Sequence, residues 1–301
     1  MSVILDTEDP KEFRSKRVRI ARTNDSLDAR ILEPQMGFPE MMQYRKPADA
    51  QAIRDGLNNG YDFANLGVSA VLTITLNGED YLLAVKQDRL DIGDSVAKLV
   101  SGYVDAKDLK NPAKAIEKEI SEEVLFSTSE MDLMRFQRNH SRWLPKPFAD
   151  KFDDCPFFVD IRQAAKYDAP GLVKKPVTID GKLVEDSPGL YFQAPTNSAQ
   201  LVYVYHLEPA DIELEKLGVS LFHSEDKLNK EKGVLEKILQ PDGILLFKLK
   251  DRDLTGDVYT YEKGKLVPYN AKNLVLSEAF APKTNGIAEA KNITLADYLK
   301  K

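Results

Sequence analysis

The chain has 301 residues, 43% hydrophobic and 30% charged, with a formal net charge of -6. This is an ordinary globular composition, long enough for one large domain or two small ones without a metal or disulfide to hold the fold. It excludes a broad basic nucleic-acid footprint, a disulfide framework (Cys155 is the single cysteine) and, with no apolar run near ~20 residues, a membrane-spanning helix. Cys155 lies between acidic Asp153-Asp154 and apolar Pro156-Phe157 and reads as a buried structural thiol in a reducing, cytoplasmic setting. The start MSVILDTEDPKEF lacks the basic-then-apolar order of a signal peptide.

Residues 1–66 precede the first core strand. Arg14–Arg22, with Val18 and Ile20 alternating, suits a short strand, and Ala48–Leu57 reads as a helix stopped at Asn58-Asn59-Gly60. Met36, Met41 and Met42 near Phe38 and Tyr44 read as soft packing. Val68–Leu76 is β-rich, Asn77-Gly78 signals a hairpin, and Tyr81–Val85 is the returning strand, followed by Lys86, Asp88 and Arg89. Val96–Val104 is a further strand leading into a glycine turn.

Ser101–Phe126, SGYVDAKDLKNPAKAIEKEISEEVLF, then predicts a polar loop and an acidic helix. Asn111 is a suitable N-cap and Pro112 suits the first helical position, where its missing N–H is not needed. Ala113, Ile116, Ile120 and Val124 form an inward stripe at three- and four-residue spacing. Glu119, Glu122 and Glu123 fall beside it within an arc of about 100°. Crowded carboxylates repel one another unless a hard cation such as Mg²⁺ draws their oxygens together. The same pattern also arises on a plain solvated helix face.

Beyond the helix, Ser141–Phe148 (SRWLPKPF) contains prolines that exclude a helix interior or a central strand. Trp143 there reads either as a stacking surface for a ring or as a buried anchor. Phe157–Ile161 suits a short strand. Tyr167–Pro195 is a turn-rich insertion with a hairpin around Asp180-Gly181, and Leu201–Leu207 is the clearest late strand, with His206 as a satisfied structural histidine. Ile212–Leu217, carrying Glu213 and Glu215, and a polar loop with Glu225 and Asp226 offer carboxylates for a general base. Gly233–Gln240 reads as a helix stopped by Pro241-Asp242-Gly243. Ile244–Lys250, Val258–Tyr261 and Leu266–Tyr269 read as strands, the last two joined at Lys263-Gly264, and Leu295–Lys301 as a terminal helix.

Gly102 to Phe126 resembles the Nudix box, G-x5-E-x7-R-E-U-x-E-E-x-G-U, with U a bulky aliphatic. Gly102 matches the glycine and Asp108 stands in the place of the first glutamate. After a nine-residue gap instead of seven, Lys118-Glu119-Ile120-Ser121-Glu122-Glu123-Val124-Leu125-Phe126 lies on the remainder. Lysine replaces the arginine and Leu125 the closing glycine. The resemblance implies an α/β (α+β) fold, a mixed β-sheet sandwiched between helices. It would comprise an N-terminal extension (1–66), a catalytic domain (67–270, insertion about 165–198) and a packed tail (271–301). It implies hydrolysis of a nucleoside diphosphate linked to another moiety, with Mg²⁺ or Mn²⁺ held by Glu119, Glu122, Glu123 and the Ser101 carbonyl. Lys118 would supply charge without the bidentate fork of arginine. Lys86, Arg89 and Trp143 would face the substrate, and a homodimer is common in such proteins. The softened box also suits a second expectation, a weakened module that binds a nucleotide or a protein without cleaving it.

Overall fold

Three sheets, of 13, six and five strands, carry the fold in the computed structural model, which describes residues 3–9, 13–89, 94–127, 133–139, 142–147, 165–207, 218–229 and 231–300. For the Met134–Asn139 and Arg142–Pro147 strands the description is of the backbone. The expectations placed on Phe157–Ile161, Ile212–Leu217, Glu213, Glu215, Cys155, Ser141 and Phe148 lie outside the described residues.

The largest sheet runs Lys265–Pro268, Asp253–Glu262, Ile244–Lys250, Glu79–Arg89, Leu66–Leu76, Ser198–Leu207, Gly189–Gln193, Ile287–Ala288, Lys283–Thr284. It is mixed. Leu66–Leu76 lies parallel to Ser198–Leu207, while Glu79–Arg89 returns antiparallel through Asn77 and Gly78, whose φ angles of 51° and 76° suit a two-residue hairpin. Leu66–Leu76 is buried along nearly its whole length, as a strand covered on both faces must be.

Leu66–Leu76 and Glu79–Arg89 pair only near their shared turn. Beyond it one segment fills the gap between them. Asp94–Lys98 pairs with Glu79–Arg89, and after Leu99 the chain crosses so that Val100–Tyr103 pairs with Leu66–Leu76. That crossing brings Lys98 next to Ser101.

The Pro112–Glu123 helix begins at the expected proline. Ile116, Ile120 and Val124 are fully buried in one core cluster with Val68, Ala70, Val100 and Val104. Burying each isoleucine is worth roughly 1.5–3 kcal/mol, which anchors the acidic edge of the helix. Asn111 stands at the N-cap position but makes no capping bond, and its Oδ1 is buried without a partner. Val124 is already extended and opens the Val124–Ser127 strand, so the helix passes into the second sheet without a loop.

That sheet runs Val3–Glu8, Val234–Gln240, Ser220–Asn229, Val124–Ser127, Met134–Asn139, Arg142–Pro147. Two expectations are corrected here. Gly233–Gln240 is not a helix: Val234–Gln240 is a strand, because it has a hydrogen-bonded partner on each side, Val3–Glu8 and Ser220–Asn229, and that pairing overrides a spacing that does not alternate. Glu225 and Asp226 lie not in a loop but inside Ser220–Asn229. The prolines of Arg142–Pro147 sit on an edge strand, where a missing N–H is tolerated.

The five-stranded sheet, Lys182–Leu183, Val177–Ile179, Leu27–Ile31, Val18–Arg22, Tyr61–Phe63, joins the N-terminal segment to the stretch expected as an insertion. The predicted turn at Asp180-Gly181 is present (φ 48° and 77°). Gly189–Gln193 is an interior strand of the largest sheet, so this stretch is woven into two sheets and is no surface loop. The Ala50–Gly56 helix is capped by Asp49 and the Leu295–Tyr298 helix by Thr294. The fold is α+β in the coarse sense, dominated by mixed sheet. No helix among the described residues is long and apolar enough to cross a membrane.

Candidate functional site

The acidic edge of the Pro112–Glu123 helix lies against the crossing segment. Glu119 rests directly on Gly102: a Cβ there would stand 2.0 Å from Glu119 Oε1 and 2.2 Å from its Cδ. Gly102 has ordinary strand torsions, so the requirement for glycine comes from this close approach and not from backbone conformation. One turn on, Glu123 Oε1 lies 3.2 Å from Lys98 Nζ, which also donates to the Ser101 carbonyl at 3.3 Å. Side chains at both ends of the ion pair are nearly buried, 14% exposed for Glu123 and 16% for Lys98.

Glu122 faces the second sheet. Its Oε2 lies 3.1 Å from Lys237 Nζ and its Oε1 3.4 Å from Lys118 Nζ. Lys237 reaches on to Asp226 Oδ1 at 3.4 Å. The Ser224 hydroxyl donates to the Glu122 carbonyl and holds the end of the helix to the Ser220–Asn229 strand. Three glutamates, Asp226 and three lysines thus share one patch, with one formal negative charge in excess.

The environments separate the three acids. Glu119 makes no side-chain hydrogen bond among the described residues. Burial, reinforced by Glu123 and Glu122, pushes it up to about 8. Burial also raises Glu123, against the pull of Lys98. Burial acts the same way on Glu122, but Lys237 and Lys118 outweigh it and hold that carboxyl below the usual range. Lys237 is raised, since its acidic partners overcome the cost of burying an ammonium. Behind them His223 is fully buried and pushed down to about 3, first by burial and then by Lys98.

Among the described residues no three His, Cys, Asp or Glu side chains converge as a preformed metal centre does. The donor chemistry nonetheless suits a hard cation. Among the described residues neither oxygen of Glu119 is committed to a hydrogen bond, Glu123 Oε2 is buried without a partner, and the Ser101 carbonyl stands beside Glu123 Oε1 through Lys98.

Glu119, Glu122, Glu123, Lys118 and Ser101 come together. Lys86 does not join them: its ammonium pairs with Asp242 and lies 5.8 Å from the Tyr269 ring centroid. The side chains of Arg89 and Trp143 lie outside the described residues. His206 is the satisfied histidine expected, with Nδ1 2.9 Å from Thr73 Oγ1 and Nε2 3.3 Å from Thr75 Oγ1. Glu225 is buried and tied to Gln240 and Lys227, so of the two carboxylates on this strand it is Asp226 that reaches the cluster, through Lys237.

Lys98 and Lys237 were missed. Lys98 is a lone charge inside an apolar run, Val96–Val100, and such a charge needs a buried partner, whereas Lys237 follows Glu236 and carries no such mark in the sequence. The signal at Lys98 does not name the partner. Compared with protein-family models, curated proteins and solved structures, the chain matches none.

Proposed function

We propose that this chain is a Nudix-type hydrolase that cleaves a phosphoanhydride in a nucleoside diphosphate linked to another moiety, on a Nudix-like sheet flanked by helices, in the cytoplasm. The observation that carries this reading is the seating of Glu119 on Gly102 beside the Ser101 carbonyl. The two ends of the box-like stretch meet there for a physical reason. Mg²⁺ or Mn²⁺ held by Glu119, Glu123 and the Ser101 carbonyl, with Glu122 alongside, would neutralise diphosphate charge and lower the pKa of a water. Lys98 and Lys237 supply fixed positive charge toward the same anion. Asp226 is the carboxylate positioned to take a proton from the edge of the cluster.

The test is release of nucleoside monophosphate from a panel of nucleoside diphosphate derivatives with Mg²⁺ or Mn²⁺. Metal-dependent turnover that falls at least about 100-fold in Glu123→Gln supports the reading. Turnover that survives the substitution refutes it. One observation favours the second reading, a nucleotide-binding module: Lys98 and Lys237 already neutralise two of the three acids. That reading expects nucleotide binding without metal and no turnover with it.

A further inference from the structure

A polar cavity of about 190 Å³ opens beside the acid cluster and shares Lys98, Ser101 and Gly102 with it. Most of its wall is already satisfied. Gln193 accepts from the Ser198 hydroxyl and donates to Tyr191, each at 2.8–2.9 Å, and Gln200 donates to Ser69 at 2.8 Å. Gln200 is further held because it lies directly over Gly67, where a Cβ would stand 2.1 Å from its Oε1. The wall is therefore preorganised.

Three lining residues break that rule. Asn65 is 1% exposed and its Oδ1 has no hydrogen-bond partner. On two half-buried residues, Glu278 Oε2 and Arg45 Nε are also buried atoms without a partner, although Arg45 Nη1 donates to the Tyr103 hydroxyl. Unpartnered buried atoms occur elsewhere among the described residues, at Asn111 and His223 for example, but here three converge on one cavity, which points to a ligand that completes them. Two are acceptors and one a donor, with the Glu278 carboxylate offset by the Arg45 guanidinium, so this part of the wall favours an uncharged group rich in O–H and N–H donors. Lys98, at the shared edge, favours the anion. The cavity is smaller than the roughly 300–1,000 Å³ of a drug-sized pocket, which suits one ring system with its remainder extending toward the glutamates.

We infer that this cavity is the subsite for the nucleoside end of the ligand, with Asn65 and Glu278 accepting from its sugar hydroxyls or base N–H groups and Arg45 donating to it, and with the phosphates leaving past Lys98. The inference rests on the proposed nucleotide substrate but not on catalysis, so its test is done without metal and without turnover.

Titration calorimetry of the full chain with the four common ribonucleoside 5′-monophosphates, ribose 5-phosphate and inorganic pyrophosphate reads it directly. The expected result is at least one nucleotide binding about tenfold or more tighter than both ribose 5-phosphate and pyrophosphate. Glu278→Gln and Asn65→Leu should each weaken that nucleotide about tenfold and leave pyrophosphate unchanged. Glu278→Gln keeps size and shape, so it stays informative should Asn65→Leu fail to fold. A 2′-deoxy analogue locates the donors: lost affinity puts them on the sugar, retained affinity on the base, and both uphold the subsite. Pyrophosphate or ribose 5-phosphate binding as tightly as the best nucleotide overturns the inference, as does native nucleotide affinity in a folded Glu278→Gln protein.

Discussion

Replacing Gly102 with alanine tests whether contact with Glu119 is what demands glycine. The new methyl would lie 2.0 Å from Glu119 Oε1, 2.2 Å from Cδ and 2.8 Å from Cγ, so the glutamate must leave its seat or the strand must shift. Overpacking of this kind costs about 1–3 kcal/mol. Alanine in a strand interior recovers about 0.5–1 kcal/mol of the glycine entropy penalty. The net expectation is a loss of about 1–2 kcal/mol, read as a melting temperature lower by about 2–4 °C per kcal/mol. The informative comparison is the double mutant. With Glu119 cut back to alanine, the three atoms nearest the added methyl are gone, and Gly102→Ala should become neutral or stabilising by up to about 1 kcal/mol. If Gly102→Ala destabilises equally in both backgrounds, the glycine is not required by Glu119 and the argument for a built site collapses. In the proposed enzyme Gly102→Ala should also reduce turnover far more than its modest effect on melting predicts.

Lys98→Met leaves Glu123 nearly buried without its counter-charge and should destabilise by about 3–5 kcal/mol, with millimolar Mg²⁺ raising the melting temperature more than it does in the native protein; no metal effect in the variant would argue against a cation site. Lys118→Ala removes an exposed i,i+4 pair with Glu122 and should cost only about 0.3–0.5 kcal/mol, lost in high salt, as melting with and without salt would show. Glu119 is raised from an ordinary 4.5 to about 8, so the folded state holds its proton where the unfolded state has released it. Metal-free stability should therefore fall as pH rises from 4.5 to 8, and Glu119→Gln should flatten that slope in melts across the range. His223 has the opposite sign: lowered from 6.5 to about 3, it contributes a stability loss as pH falls from 6.5 to 3 that His223→Gln should reduce.

Local signals were read well where one segment decides its own structure. Pro112, the Ala113–Val124 stripe, Asn77-Gly78 and Asp180-Gly181 act through torsions and periodicity, which neighbouring residues set among themselves. In Leu235-Glu236-Lys237-Ile238-Leu239 the aliphatics stand at helical spacing, yet the segment is a strand, because two partner strands distant in the chain, Val3–Glu8 and Ser220–Asn229, satisfy its backbone. Lys237 entered the site by that route. Gly102 was legible as a motif position but its reason was not, since nothing in a run of letters shows which side chain will lean on it.

The sequence by itself determined the acidic helix, its buried face and the β-rich approach to it, because hydrophobic spacing and the torsions of Pro112, Asn77 and Gly78 are local quantities. Only the tertiary structure decided the electrostatics. The crossing from Glu79–Arg89 to Leu66–Leu76 put Lys98 between Glu123 and the Ser101 carbonyl, and sheet pairing delivered Lys237 to Glu122. Charge interactions depend on distance through space and on burial, and chain order records neither.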